Sequence, residues 1–141
     1  PYPRYFCWED FDMDGRHRRG FYNLVVNQRP DEQARTRYEM TIDGNHVRLT
    51  VDNIRYEVLE KEPYWEIELK FRKHLTPATS GRFTLYFCEE LLDLTKPVTI
   101  EVNGKCLFKG KLKPQLRHLV NSCATFYDPR RLYPTAVELA L

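Results

Sequence analysis

Tyr38-Glu39-Met40-Thr41-Ile42-Asp43-Gly44-Asn45-His46-Val47-Arg48-Leu49-Thr50-Val51 carries the clearest strand signal in the chain. Tyr38, Met40 and Ile42 alternate with polar residues, and so do Val47, Leu49 and Val51. A period of two places each apolar set on one face of a strand. Asp43-Gly44 stands between the two runs, and both residue types tolerate the positive φ that a tight hairpin turn requires. The spacing predicts an antiparallel hairpin turning at Asp43-Gly44, with Asn45 lengthening the turn by one residue.

The same pattern extends on both sides. Toward the N-terminus, Tyr5 to Phe11 is aromatic-rich and reads as an edge strand, and Phe21 to Asn27 is strongly β-prone. Toward the C-terminus the alternation continues through Tyr56 and Val58, then Trp65, Ile67, Leu69 and Phe71, with Glu66, Glu68 and Lys70 opposite. Pro63 interrupts that run, which predicts an edge position or a break between two strands. Thr76 to Gly81 reads as a loop. Arg82 to Cys88 is a further strand, with Phe83, Leu85 and Phe87 inward and Thr84 outward. Val98–Val102, Asn103-Gly104 and Cys106–Leu112 form a second hairpin signal. Pro114 then suits a first helical turn, and Leu116, Leu119, Val120, Cys123 and Tyr127 recur at helical spacing up to Asp128-Pro129. Ala136 to Leu141 closes as a strand.

These elements predict a mainly β protein: one antiparallel β-sandwich, jelly-roll or immunoglobulin-like, over residues 1–141, with one C-terminal amphipathic helix. The chain has 141 residues, 42% of them hydrophobic and 13% aromatic, enough for one core. Lys plus Arg (22) nearly balances Asp plus Glu (20), so a nucleic-acid partner, which calls for a basic face, is not expected. No apolar run approaches the ~20 residues that span a bilayer, so no membrane partner is expected either. The opening Pro1-Tyr2-Pro3 lacks an initiator Met. It reads as an internal start, so the chain is expected to be a fragment of a larger protein, and its compartment, periplasm and secretion included, stays open.

The chemistry-bearing residues are sparse. Cys7, Cys88, Cys106 and Cys123 show no C-x-x-C spacing; buried free thiols are the expected reading, Cys123 on the apolar helix face, with a disulfide in one of three pairings as the alternative. Asp10-Phe11-Asp12-Met13-Asp14-Gly15 starts like a calcium loop, but Phe21 stands where the bidentate Glu should be, and Arg16-His17-Arg18-Arg19 fills the middle. An acidic-then-basic surface loop is the expected reading. His17, His46, His74 and His118 form no H-x-x-x-H or H-E-x-x-H pattern. Ser80 and Ser122 are the only serines, and neither lies on a G-x-S-x-G elbow. No catalytic residue, cofactor or metal is therefore expected. Trp8 and Tyr64 are the candidates for an exposed aromatic contact surface, while Trp65 is expected in the core.

Leu91-Leu92-Asp93-Leu94-Thr95-Lys96-Pro97-Val98-Thr99-Ile100-Glu101-Val102-Asn103-Gly104-Lys105 and Leu107-Phe108-Lys109-Gly110-Lys111-Leu112 carry a family likeness. The helix that follows and the ending from Asp128 to Glu138 share it, and Arg19 to Leu24 does so more loosely. Together they resemble the β-rich C-terminal accessory domain of bacterial multidomain α/β-hydrolase esterases, of the phospholipase/carboxylesterase or dienelactone-hydrolase type. The close likeness covers roughly residues 82–141, and its motifs are turns, a hairpin and a helix cap. It implies a non-catalytic domain that stabilises an α/β-hydrolase catalytic domain of the same chain or shapes access to its active site. Such a parent would be a serine esterase. A glycan- or ligand-binding module is the alternative, and self-association through a sheet edge is a further expectation.

Overall fold

The computed structural model describes residues 2–10, 19–31, 35–61, 69–126 and 132–141. The central hairpin is formed by β4 (Arg35–Asp43) and β5 (His46–Lys61), paired from Asp43↔His46 to Arg35↔Ile54 without a break. Its turn is Gly44-Asn45, one residue later than the Asp-Gly pattern suggested. Asp43 still pairs across the ladder, and Gly44 takes the positive φ of 58° at the first turn position.

β1 (Tyr5–Asp10) lies along β4 as the expected edge strand. On the other side of β5, two strands share one edge. The first half of β5 pairs with β8 (Val98–Val102), and β6 (Leu69–Pro77) pairs with it from Asp52 to Lys61. The β5–β8 pair is parallel, Val47 opposite Ile100, so the sheet is mixed where an all-antiparallel one was expected. β8 continues into β9 (Lys105–Gly110) through Asn103-Gly104, both at positive φ, as the sequence predicted. The second sheet has the order β10-β7-β3-β2, with β2 (Gly20–Phe21), β3 (Leu24–Gln28), β7 (Arg82–Phe87) and β10 (Thr135–Ala140). The predicted run Phe21 to Asn27 is thus two strands folded back at Tyr22-Asn23. Tyr22 takes φ 51°, and Asn23 Nδ2 donates to the Tyr86 carbonyl at 2.9 Å.

The core lies between the inner faces of the two sheets. Tyr38, Met40, Leu49, Val51 and Ile100 come from one, and Leu24, Phe83, Leu85 and Phe87 from the other. Every one of them sits at an inward position of a period-two strand, so alternation plus burial specifies the register. Gly81 precedes β7 at φ 139°, and a Cβ there would meet Phe83 Cζ at 2.6 Å. Gly81→Ala is therefore expected to lower stability by roughly 2 kcal/mol, seen as a lower urea midpoint at unchanged slope.

α1 (Leu116–Phe126) lies on the outer face of the second sheet. It covers Tyr86, which explains why this residue and its neighbour Thr84 are buried although both point away from the core. The expected helix is present, but the expected face is not the one that packs. Ser122 is fully buried, while Leu116 is 75% and Val120 59% exposed, and Cys123 is exposed too. Ser122 wins because the hydroxyl is needed there: it donates to the Leu119 carbonyl at 3.0 Å and accepts the Tyr133 N–H at 3.1 Å.

A second departure lies in β5. Its apolar positions are Val47, Leu49 and Val51, then Ile54, Tyr56 and Val58. The ladder with β4 runs on unshifted through Ile54, so this change of phase moves the apolar stripe from the inner to the outer face of the sheet. Phe71 is exposed on that outer face opposite Val58. The expectations for Tyr64, Trp65 and Ile67 fall outside the described residues.

Candidate functional site

α1 divides its surroundings into an apolar face and a polar cleft. On the sheet side, Phe126 packs edge-on against Tyr86 and Tyr133, at 5.7 Å to each ring, and anchors the helix. The outward side carries Leu116, Val120 and Cys123, and Leu132 flanks it. Leu119, Val120, Cys123, Ala124 and Leu132 line a shallow depression of about 460 Å³ with hardly a polar atom in it. A contiguous apolar surface on a helix is a feature that partners cover. Leu132 was not singled out from sequence, because nothing in the helical spacing shows that the chain returns beside α1.

The cleft on the other flank, of about 480 Å³, runs between α1 and the outer face of β7 and β10. Asn27, Thr84, Arg117, His118, Asn121 and Glu138 supply its polar lining, and Tyr86 and Phe108 its aromatic walls. Thr84 Oγ1 donates to Asn27 Oδ1 at 2.7 Å, which fixes the orientation of that amide. Burial holds the His118 imidazole below its ordinary pKa, and the Arg117 guanidinium pushes the same way, while Glu138 opposes both. A neutral imidazole beside a guanidinium and a carboxylate can exchange hydrogen bonds with a polar ligand. His118 binds a proton more readily unfolded than folded. Stability linked to it is therefore complete above its unfolded pKa and falls as pH drops from there toward the folded value. His118→Gln is expected to flatten the Tm-versus-pH curve over that acidic window, measured by thermal melts.

The residues singled out from sequence are dispersed. Trp8 is only 9% exposed and stacks between Phe21 at 5.4 Å and Tyr38 at 5.1 Å. It closes one end of the core instead of offering an open contact surface, because its strand position faces inward beside Tyr38. Tyr64 lies outside the described residues. His46 pairs with Glu101 at 3.2 Å and His74 with Glu57 at 2.5 Å, on different strands of the first sheet. His17, Asp12 and Asp14 fall outside the described residues. Asp10 is buried and paired with Arg29 at 3.2 Å. Ser80 donates to the Pro30 carbonyl at 3.1 Å. Of the cysteines only Cys88 is buried, and burial pushes its thiol up; Cys7, Cys106 and Cys123 are exposed, against the expectation of buried thiols. They lie on the outer face of β1, on the edge strand β9 and on the open side of α1. Among the described residues no three His, Cys, Asp or Glu side chains converge to hold a metal ion.

No protein-family model, curated protein or solved structure matches the chain. The local chemistry therefore carries the functional argument. The described residues offer an apolar helix face fit for a protein surface and a polar cleft fit for a small ligand. Neither was legible as a site beforehand, because both depend on how α1 is rotated about its axis.

Proposed function

We propose that this chain is a non-catalytic β-sandwich domain that docks on a catalytic partner through the open face of α1. The observation that carries the reading is the exposure of Leu116 and Val120 beside Leu132. Hydrophobic burial of such side chains is worth about 1.5–3 kcal/mol each when a partner covers them. The resemblance of residues 82–141 to the accessory domain of bacterial esterases names the partner class, an α/β-hydrolase domain of the same polypeptide. In that role the sandwich supplies rigidity and a docking face, and the hydrolase domain supplies the nucleophile, base and oxyanion donors.

The test compares this chain alone with the longest native polypeptide that contains it. The chain alone is expected to hydrolyse no short-chain p-nitrophenyl ester. In the long form, amide exchange across residues 116–124 is expected to slow, and Leu116→Asp with Val120→Asp to abolish that slowing while circular dichroism stays unchanged. Ester turnover by the chain alone would overturn the reading, as would equal exchange of α1 in the two forms.

The polar cleft favours the ligand-binding alternative, in which the sandwich holds a glycan or other small polar molecule beside α1. Calorimetric titration with saccharides, lost on Asn27→Ala, would move the assignment to that reading.

A further inference from the structure

The phase change in β5 builds a second surface, distinct from α1. Among the described residues β4 pairs no farther along β5 than Ile54, and beyond it β5 and β6 continue as a paired arm, Tyr56 opposite Lys73 and Val58 opposite Phe71. On the outer face of the arm Tyr56, Val58, Phe71 and Leu75 are between 39% and 56% exposed. The opposite face is polar, with Arg55, Arg72 and the His74–Glu57 pair. Among the described residues β6 pairs with β5 alone, so its far edge presents unpaired backbone N–H and C=O groups.

We propose that this far edge of β6 accepts an extended, acidic peptide segment as an additional antiparallel or parallel strand. Three properties on one strand lead there. An open ladder edge supplies main-chain hydrogen bonds. Phe71 and Leu75, on either side of Lys73 on the outer face, offer apolar contacts to side chains of an added strand that point the same way. Charge then selects the occupant. The sequence of β6, Leu69-Lys70-Phe71-Arg72-Lys73-His74-Leu75-Thr76-Pro77, contains four basic or titratable cationic residues and no carboxylate. Lys73 is engaged by Glu9 and His74 by Glu57, while Arg72 is exposed and, among the described residues, no ion pair holds it. A second copy of β6 would set cations against cations across the new ladder, which is unfavourable. A strand alternating carboxylates with β-branched residues satisfies both the charge and the apolar stripe.

The experiment titrates the chain with a fluorescent, capped peptide alternating Glu and Val, followed by anisotropy and amide exchange. Saturable binding is expected, with slowed exchange at alternate residues of β6. Arg72→Glu is expected to weaken binding about tenfold or more. The same peptide N-methylated at alternate amides keeps its charge but cannot form a ladder, and it is expected not to bind. Equal binding of the methylated peptide would overturn the proposal by reducing it to charge attraction. Binding without protection in β6, an undiminished Arg72→Glu variant, or no binding at all would overturn it equally. Concentration-dependent dimerisation through β6, seen by sedimentation, would assign the edge to a second copy instead and so also overturn it. None of these outcomes depends on whether α1 docks on a hydrolase domain.

Discussion

Replacing Asn103 by alanine is expected to remove about 3 kcal/mol of folding stability, the sum of several lost or orphaned hydrogen bonds. Asn103 stands where the edge of β5 changes partner from the parallel β8 to the antiparallel β6. Its backbone N–H donates to the Leu49 carbonyl at 3.0 Å. Its side chain then fills the gap at Val51, accepting the Val51 N–H at 2.8 Å and donating to the Val51 carbonyl at 2.9 Å and the Ala78 carbonyl at 3.1 Å. Alanine cannot reproduce any of the three side-chain bonds, and it must also take the φ of 50° that Asn tolerates better. Two further variants separate these contributions. Asn103→Gly relieves the backbone but not the bonds, so it should recover less than half of the loss. Asn103→Asp keeps the acceptor but turns an oxygen toward two carbonyls, so it should be as harmful as alanine near neutral pH. Urea unfolding of the three variants decides the matter. Equal stability of Asn103→Gly and the parent would show that the turn conformation alone matters.

Phe83→Ala is expected to be the most damaging single truncation, at about 4 kcal/mol, in the range for emptying a buried aromatic site. The ring is 1% exposed, at an inward position of β7, and meets Tyr38 of the opposite sheet edge-on at 5.9 Å. Removing it takes away a contact between the two layers, and neighbours held in β-ladders cannot collapse into the space. The same ring is what a Cβ at Gly81 would strike. Gly81→Ala should therefore lose part of its penalty in the Phe83→Ala background, leaving the part due to φ. This non-additivity is expected because the two residues touch. Additive losses in a double-mutant cycle would remove the steric account of Gly81.

The strands were legible because their signals are local. The alternation at Tyr38, Met40 and Ile42 and the Asn103-Gly104 turn each depend on a few neighbouring residues, and the structure has both. The shift of the first turn to Gly44-Asn45 is within what such a signal resolves, since Asp43 and Gly44 are both competent turn residues. Trp8 read wrongly for a different reason. An aromatic near an end of the chain looks like a free contact residue until Phe21 and Tyr38 are seen on either side of it. The parallel pairing of β5 with β8 could not be read at all, because the strands are far apart in sequence and pairing leaves no local mark.

By itself, then, the order of residues determined the secondary-structure types, the inward positions of most strands and the two-residue turns, since these follow from steric preference and period over a few residues. Tertiary structure alone decided which faces remain open. Ser122 turns the apolar side of α1 outward because its hydroxyl has a partner, Tyr133, that only the returning chain brings near. Tyr56 and Val58 are left exposed because the apolar phase of β5 has moved to the outer face, where β6 sets Lys73 and Phe71 opposite them. Periodicity states that a face is apolar; what covers it is settled by contacts between distant segments.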